Sequence, residues 1–224
     1  MTEAYIYEAI RTPRGRGKAN GSLHGVKPVT LLTGLIGELR NRHPELDTNA
    51  IDDIVLGCVT PVGDQGADIA KTAAIASGLP DTVAGTQINR FCASALEAVN
   101  IASQKVRAGW DNLIIAGGVE SMSNVEHYST EMRKGARMGE AVFHDRLSRG
   151  RVMSQPIARF GIITGMIETA ENLAKDYGIT REQADEYAVM SHKRATAAWA
   201  ERKFADEPAH SRRPGRYASL SAAF

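Results

Sequence analysis

The run Gln87–Ala98 constrains the fold most, because it has the pattern of a strand end, a sharp turn and a helix beginning at or near Cys92. Apolar residues, most of them small, then recur at three- and four-residue intervals up to Gly109: Ala93, Ala95, Leu96, Ala98, Val99, Ala102 and Val106. This period is typical of a helix with a narrow, small-residue face. Such a helix packs close to a sheet or to another helix, and Gly109 is a suitable C-terminal stop.

Cys92 at a helix N-terminus suggests a nucleophile. The unpaired backbone N–H groups and the positive end of the helix dipole favour thiolate over thiol. The same N–H groups can stabilise an oxyanion on an attacked carbonyl. The alternative is a structural role, because an unpaired cysteine is usually buried as a small hydrophobic residue. Position alone leaves both interpretations open.

Strand-like and helix-like segments alternate through the first half of the chain. Short β-rich or continuously apolar runs predict buried strands, and apolar residues at helical spacing predict the intervening helices. The predicted strands are 4–10, 53–59, 85–89 and 112–116, and the predicted helices are 28–40 and 68–77, the second capped by Asp68. This alternation predicts an α/β layered sheet, with Gly117-Gly118 allowing a tight turn or a close approach after the last strand.

Composition argues against several classes of partner. The 224 residues carry 27 Lys and Arg against 26 Asp and Glu, a formal charge of +1, so nothing indicates nucleic acid or a membrane surface. No apolar run is long enough to span a bilayer, and the start has no signal-peptide pattern. Two cysteines, Cys58 and Cys92, make no disulfide framework. We therefore expect a cytoplasmic protein.

The character of the chain changes after Ser121, where a polar, loop-rich stretch to Phe160 carries many cations: Arg133, Lys134, Arg137, Arg146, Arg149, Arg151 and Arg159. It is either a solvated surface insertion or a lobe whose cations meet an anionic ligand such as a nucleotide phosphate. A helix ended by Gly178 follows, and a capping box at Thr180–Gln183 opens a long helix. Residues 209–224 lack periodicity and are predicted to be disordered.

No metal or cofactor motif is present. Cysteine and histidine spacings fit no metal site, and neither a phosphate loop nor a dinucleotide fingerprint occurs. All six histidines fall in predicted loops or on a helix surface, which favours solvated or structural roles over catalysis: His24, His43, His127, His144, His192 and His210. We expect no metal site.

Four stretches in order resemble the amino-terminal half of a thiolase. They are Arg11-Thr12-Pro13 with Gly21-Ser22-Leu23, then Asn89-Arg90-Phe91-Cys92-Ala93-Ser94-Ala95, then Gly117-Gly118-Val119-Glu120-Ser121-Met122-Ser123, and finally Thr169-Ala170-Glu171-Asn172 with Ser191-His192. The resemblance implies an amino-terminal α/β domain (1–120), one layered α-β-α half of a two-half fold. It also implies part of a mostly helical loop domain (121–207) and a disordered or aberrant tail (208–224).

The resemblance also implies an acyltransferase of fatty-acid and acyl-CoA metabolism, working in β-oxidation or in the reverse condensation. Cys92 corresponds to the acylated nucleophile of a ping-pong scheme, and its backbone N–H to part of the oxyanion hole. Met166 lies near the sequence position of a loop-domain methionine that lines the pantetheine pocket in the family. The family uses coenzyme A as substrate, needs no separate cofactor and forms homo-oligomers.

Three departures from the family pattern bear on this expectation. Ala95 stands where the family usually has glycine after the Cys-x-Ser sequence. Ile167 stands where a Met-Gly pair is usual in the loop domain. The carboxy-terminal motifs that supply a histidine, an asparagine and a second cysteine are absent. We therefore expect a truncated chain that does not turn over alone. The alternatives are a non-catalytic fragment that associates with full-length subunits, and a ketoacyl synthase-like condensing enzyme.

Overall fold

The computed structural model describes residues 3–135, 138–148 and 156–207, which divide into two compact units. The first unit extends to Val125 and includes Asp206 and Glu207, and the second is Glu126–Ala205. The domain boundary expected between residues 120 and 121, which separates the α/β domain from the loop domain, stays a prediction. The tail predicted over 208–224 lies outside the described residues.

A parallel three-stranded sheet forms the centre of the first unit, in the order β2-β1-β3. Three helices of more than one turn accompany it, and one-turn helices lie at Thr48–Ala50, Gly63–Gln65 and Met122–Asn124. The strands are β1 (Asp53–Gly57), β2 (Ala84–Ile88) and β3 (Ile114–Gly118), and the helices are α1 (Pro28–Arg42), α2 (Ile69–Ala76) and α3 (Ser94–Arg107).

The helices cover both faces of this sheet. Gly57 at the end of β1 faces α3, because a Cβ there would lie 2.6 Å from the amide nitrogen of Ala95. Gly85 on β2 pairs with Ile54 and faces α2, since a Cβ there would lie 2.6 Å from the Cα of Lys71. Neighbouring positions on a strand point to opposite faces. The expected layered α-β-α arrangement is therefore confirmed.

The apolar core explains why β1 reads as a continuous hydrophobic run. All five residues of β1 are buried, as expected for a central parallel strand covered on both faces. Ile54 and Leu56 meet apolar residues of α1, α2 and the connecting loops in one cluster: Leu32, Ile36, Ile51, Ile69, Ala70, Ala73, Ala74, Leu79 and Val83. Asp68 caps α2 as predicted, accepting hydrogen bonds from the backbone amides of Ala70 and Lys71.

The second unit is mostly helical in its described part. Its elements are the antiparallel pair β4 (His127–Tyr128) and β5 (His144–Asp145), and the helices α4 (Ile157–Phe160), α5 (Met166–Tyr177) and α6 (Arg181–Ala200). Gly178 ends α5 in the left-handed conformation, and Thr180 with Gln183 forms the predicted capping box. Among the described residues, no helix combines the length and apolar character that crossing a membrane requires.

The prediction of a first strand over residues 4–10 is wrong. The segment forms no strand, and Tyr5, Ile6 and Tyr7 are 71%, 78% and 82% exposed. β-propensity expresses how well a residue fits a pleated, half-buried surface, and it needs a neighbouring strand to act on. Within the described residues the sheet contains only β1, β2 and β3, so the segment has no ladder partner.

The strand expected at 112–116 is displaced and less buried than predicted. The backbone amides of Asn112 and Leu113 donate to the Asp52 carboxylate at 2.6 and 3.2 Å, so regular pairing begins at Ile114. Gly117 and Gly118 thus belong to β3 rather than to a turn after it. The strand is half-buried because it lies at the edge of the described sheet.

A methyl group at position 57 tests the contact between sheet and helix. Gly57→Ala pushes a Cβ into the backbone at the start of α3, so we expect a loss of about 2–3 kcal/mol in unfolding free energy. Gly34→Ala is the matched control, because position 34 lies inside α1 with nothing within 4 Å of the new Cβ. It should gain about 0.5–1 kcal/mol. Urea unfolding of both variants measures this, and equal effects would contradict the close packing.

Candidate active site

Three loops meet at the carboxyl edge of the sheet, where parallel α/β proteins commonly place their ligands. The loop after β1 begins with Cys58, the loop after β2 contains Cys92, and the loop after β3 contains Glu120. The backbone N–H of Cys58 donates to Ile88 at 3.0 Å, and that of Val119 donates to Gly57 at 3.1 Å. The strand pairing therefore continues into these loops and sets their spacing.

A tight turn precedes α3 and carries Cys92. Phe91 has a φ of +48°, a left-handed conformation that is strained for a bulky side chain. Ser94 stabilises the turn, since its Oγ accepts from the backbone N–H of Arg90 at 2.8 Å and donates to the carbonyl of Phe91 at 2.6 Å. The helix therefore begins at Ser94, two residues after the earliest start that the sequence suggested.

Cys92 is exposed and lies directly before an uncapped helix. The N-cap of α3 is Ala93, which has no side chain able to accept a hydrogen bond from the first amides. These amides and the helix dipole are the groups that stabilise a thiolate or an oxyanion. The geometry agrees with the position from which the sequence suggested a nucleophile, although it does not test that role.

The start of α3 lies on two neighbouring glycines. Gly57 and Gly118 pair across β1 and β3, and both face the helix. A Cβ on Gly118 would lie 3.1 Å from the Cβ of Ala95. The methyl of Ala95, the first departure from the family pattern, thus lies over a position that has no side chain, so it does not crowd the helix start.

Glu120, a residue for which the sequence suggested no role, joins the loops after β1 and β3. Its carboxylate accepts from the backbone amides of Val59 at 2.7 Å and Thr60 at 3.3 Å, from the Thr60 hydroxyl, and from Gln65 Nε2 at 2.6 Å. Gln65 is buried, and its Oε1 accepts from the backbone N–H of Ser121 at 2.8 Å. A charged residue two positions after an apolar strand is the sequence signal that could have identified this cluster.

Asn89 joins the loop after β1 to the turn that carries Cys92. Its Nδ2 donates to the carbonyl of Val59 at 3.0 Å, and its Oδ1 accepts from the backbone N–H of Phe91 at 2.9 Å. The second contact is a local turn of the kind that asparagine favours. Asn89 belongs to a motif in the sequence, but the motif alone does not reveal this role.

Cys58 is chemically different from Cys92. It is 1% exposed, and its Sγ lies 3.9 Å from the carbonyl oxygen of Gln65. Burial, reinforced by the negative charge of Glu120, raises the pKa of the Cys58 thiol from 9.0 to about 11. Cys58 therefore stays a protonated, structural thiol at neutral pH.

Met166, the expected pantetheine contact, lies in the second unit as the first residue of α5 and is 68% exposed. Ile167, the second departure from the family pattern, is 79% exposed beside it. Among the cations of this unit, Arg146 pairs with Glu126 at 2.9 Å and lies over the ring of Tyr128 at 4.4 Å. The structure describes Met166 and Cys92 within separate units.

The described residues provide no base in contact with Cys92. None of the described histidines, lysines or carboxylates forms a hydrogen bond or ion pair with its sulfur. His43 instead lies 3.3 Å from Glu8, and His144 packs on Tyr128. No group of three or more potential metal ligands occurs in the described part of the chain.

The two cysteines should differ sharply in their reactivity toward a neutral alkylating agent. Iodoacetamide at pH 8 should modify native protein once, at Cys92, because Cys58 is buried and its pKa is about 11. Intact mass and peptide mapping give the count and the position. Two adducts should form in urea, and Cys92→Ser should take none while folded. Native labelling of Cys58 would contradict the described burial.

Cys58 should also make stability depend on alkaline pH. Its pKa is raised on folding, so the stability that it contributes is complete below pH 9 and is lost as pH rises from 9 to 11. Wild type should therefore lose about 2 kcal/mol more than Cys58→Ala between pH 9 and pH 11. Urea unfolding at several pH values measures the difference. Parallel pH profiles would show that Cys58 is not shielded in the folded state.

Comparison with known proteins gives one consistent family. The model of the thiolase N-terminal domain matches residues 4–212. The 3-ketoacyl-CoA thiolase of Shewanella sp. (strain ANA-3) is 39% identical over 207 residues, which cover 92% of this chain and 49% of that protein. The beta-ketoadipyl-CoA thiolase of Escherichia coli is 37% identical, with 92% and 51% covered.

A solved structure agrees with these relatives. The crystal structure of the Bacillus anthracis acetyl-CoA acetyltransferase superimposes with a TM-score of 0.78 at 34% identity, covering 94% of this chain and 52% of that one. The chain spans about half the length of the curated relatives it matches. The matched region includes both the Cys92 turn and the Glu120 motif, and we conclude that the chain belongs to the thiolase family.

Proposed function

We propose that this chain carries the nucleophile of a thiolase-type acyl-CoA acyltransferase, and that Cys92 is the residue that becomes acylated. The observation that carries the proposal is the exposed Cys92 at the uncapped start of α3. The hydrogen bonds of Ser94 and Asn89 hold the turn in place. The turn leads directly into the first amides of α3, which are groups able to stabilise negative charge.

The chemistry follows from that placement. In the degradative direction the Cys92 thiolate attacks the 3-keto carbonyl of a 3-ketoacyl-CoA, and the carbonyl oxygen becomes an oxyanion. When the oxyanion collapses, the C2–C3 bond breaks, its electron pair takes a proton, and acetyl-CoA leaves. The thiol of coenzyme A then removes the acyl group from Cys92. The reverse sequence condenses two acyl-CoA molecules.

The two half-reactions differ in how much they depend on proton transfer. The carbon leaving group must be protonated, whereas the exchange of an acyl group between coenzyme A and Cys92 has a thiolate leaving group, which needs less help. The described residues bring no base to Cys92. We therefore propose that the 224-residue polypeptide exchanges acetyl groups but does not turn over a 3-ketoacyl-CoA alone.

The remaining expectations belong to the same proposal. Relatives named for 3-ketoacyl-CoA, beta-ketoadipyl-CoA and acetyl-CoA support a coenzyme A thioester as substrate. The proposal that no separate cofactor is needed rests on the family resemblance. Met166 would contact the pantetheine arm in the second unit. Cytoplasmic location and homo-oligomeric assembly rest on the composition and the family resemblance, respectively.

Mass spectrometry of the intact protein tests the acyl-transfer step. Incubation with acetyl-CoA should add one acetyl group to wild type and none to Cys92→Ser, and excess coenzyme A should then remove the group. Acetyl-acyl carrier protein is the comparison donor, since a ketoacyl synthase-like enzyme would prefer it. No adduct on wild type, with an iodoacetamide-reactive Cys92, would overturn the proposal.

A further inference from the structure

We propose that Glu120 is a positioning residue for Cys92 and acts through Val59 and Asn89. The proposal deepens the function given above and rests on it, since it treats Cys92 as the nucleophile. Glu120 itself forms no described contact with Cys92. Its effect would travel along a continuous series of hydrogen bonds that leads from the loop after β3, through the loop after β1, to the turn before α3.

The first step of the series fixes the loop after β1. Glu120 accepts from both consecutive backbone amides, Val59 and Thr60, and from the Thr60 hydroxyl. Hydrogen bonds to a carboxylate are about twice as strong as those between neutral groups. Gln65 adds a donor to the same carboxylate and also bonds the carbonyl of Thr60 at 2.8 Å. The peptide groups on both sides of Val59 are therefore held.

The second step passes from Val59 to Asn89. The amide of Val59 bonds Glu120, and its carbonyl accepts from Asn89 Nδ2 at 3.0 Å. Asn89 has an exposed side chain, so these bonds rather than core packing set its orientation. If Glu120 releases Val59, the carbonyl that orients Asn89 is released with it.

The third step passes from Asn89 to the turn that carries Cys92. Asn89 Oδ1 accepts from the backbone N–H of Phe91, the residue in the strained left-handed conformation next to Cys92. Such a conformation costs about 1–3 kcal/mol and persists only where the surroundings hold it. Ser94 holds the carbonyl side of Phe91, and Asn89 holds the amide side. Loss of the second contact should let the turn relax and move Cys92 relative to the amides of α3.

Hydrogen exchange at single residues separates this proposal from a local structural role. The Glu120 side chain forms no described contact with the turn. We nevertheless expect the Phe91 amide of Glu120→Ala to exchange at least about tenfold faster than in wild type, as in Asn89→Ala. The double variant should be no faster at Phe91 than the faster single variant, because both act in one series. Glu45→Ala and Asn100→Ala, at other surface positions, are the matched controls. Glu120→Gln, which keeps one acceptor oxygen, replaces Glu120→Ala if that variant does not fold.

Acetylation provides the second readout. Transfer from acetyl-CoA to Cys92 needs an aligned sulfur, so it should fall about 10- to 100-fold in Asn89→Ala and Glu120→Ala. Iodoacetamide reacts with any exposed thiolate and should change less than about threefold. Thr60→Ser should keep the wild-type rate and Thr60→Val should lower it, because only the first retains the hydroxyl.

The outcomes are distinguishable. Fast exchange at Val59 and Thr60 with an unchanged Phe91 amide would overturn the proposal, because it would confine Glu120 to its own loop. Equal losses of acetylation and alkylation would overturn it too, since they would indicate general damage. Absence of acetylation in wild type would refute the proposed function instead, and the exchange data at Phe91 would still decide whether Glu120 controls the turn.

Discussion

The close contact between α3 and the paired glycines of β1 and β3 is the constraint on which the site depends. Any side chain at Gly57 would meet the backbone of Ser94 and Ala95. Because the helix lies directly on the strands, the turn before it has no room to extend, and the chain must reverse within a few residues. That reversal produces the left-handed Phe91 and places Cys92 before the first helical amides.

The strained turn is stabilised by groups that the sheet itself brings together. Parallel strands deliver their carboxyl ends to one edge, so Val59, Asn89 and Glu120 become neighbours although they are distant in sequence. The side chains of Glu120 and Asn89 then bond the backbone N–H and the carbonyl of Val59, respectively. Asn89 and Ser94 contact the strained Phe91 directly, and the loop after β1 in turn contacts Asn89. Strained residues persist where the surrounding structure holds them in this way.

Regular elements with strong local signals were predictable from sequence. The five buried residues of β1, the Asp68 cap and the capping box at Thr180 depend on neighbours in the chain, and all appear as expected. The strand prediction for segment 4–10 was wrong because a strand requires a neighbouring strand to pair with, and no local sequence pattern reveals whether one is present. The Glu120 contacts were missed for a related reason: Val59 and Thr60 offer backbone amides, which every sequence contains and no motif marks.

The two cysteines show why residue type alone does not identify a nucleophile. Cys58 and Cys92 follow neighbouring strands at the same edge of the sheet. Cys58 directly continues a buried strand, so burial and the charge of Glu120 raise its pKa to about 11 and keep the thiol protonated. Cys92 lies four residues beyond its strand, where the turn has left the core and the helix amides begin. The number of residues between the strand end and each cysteine therefore decides which thiol is buried and which is exposed.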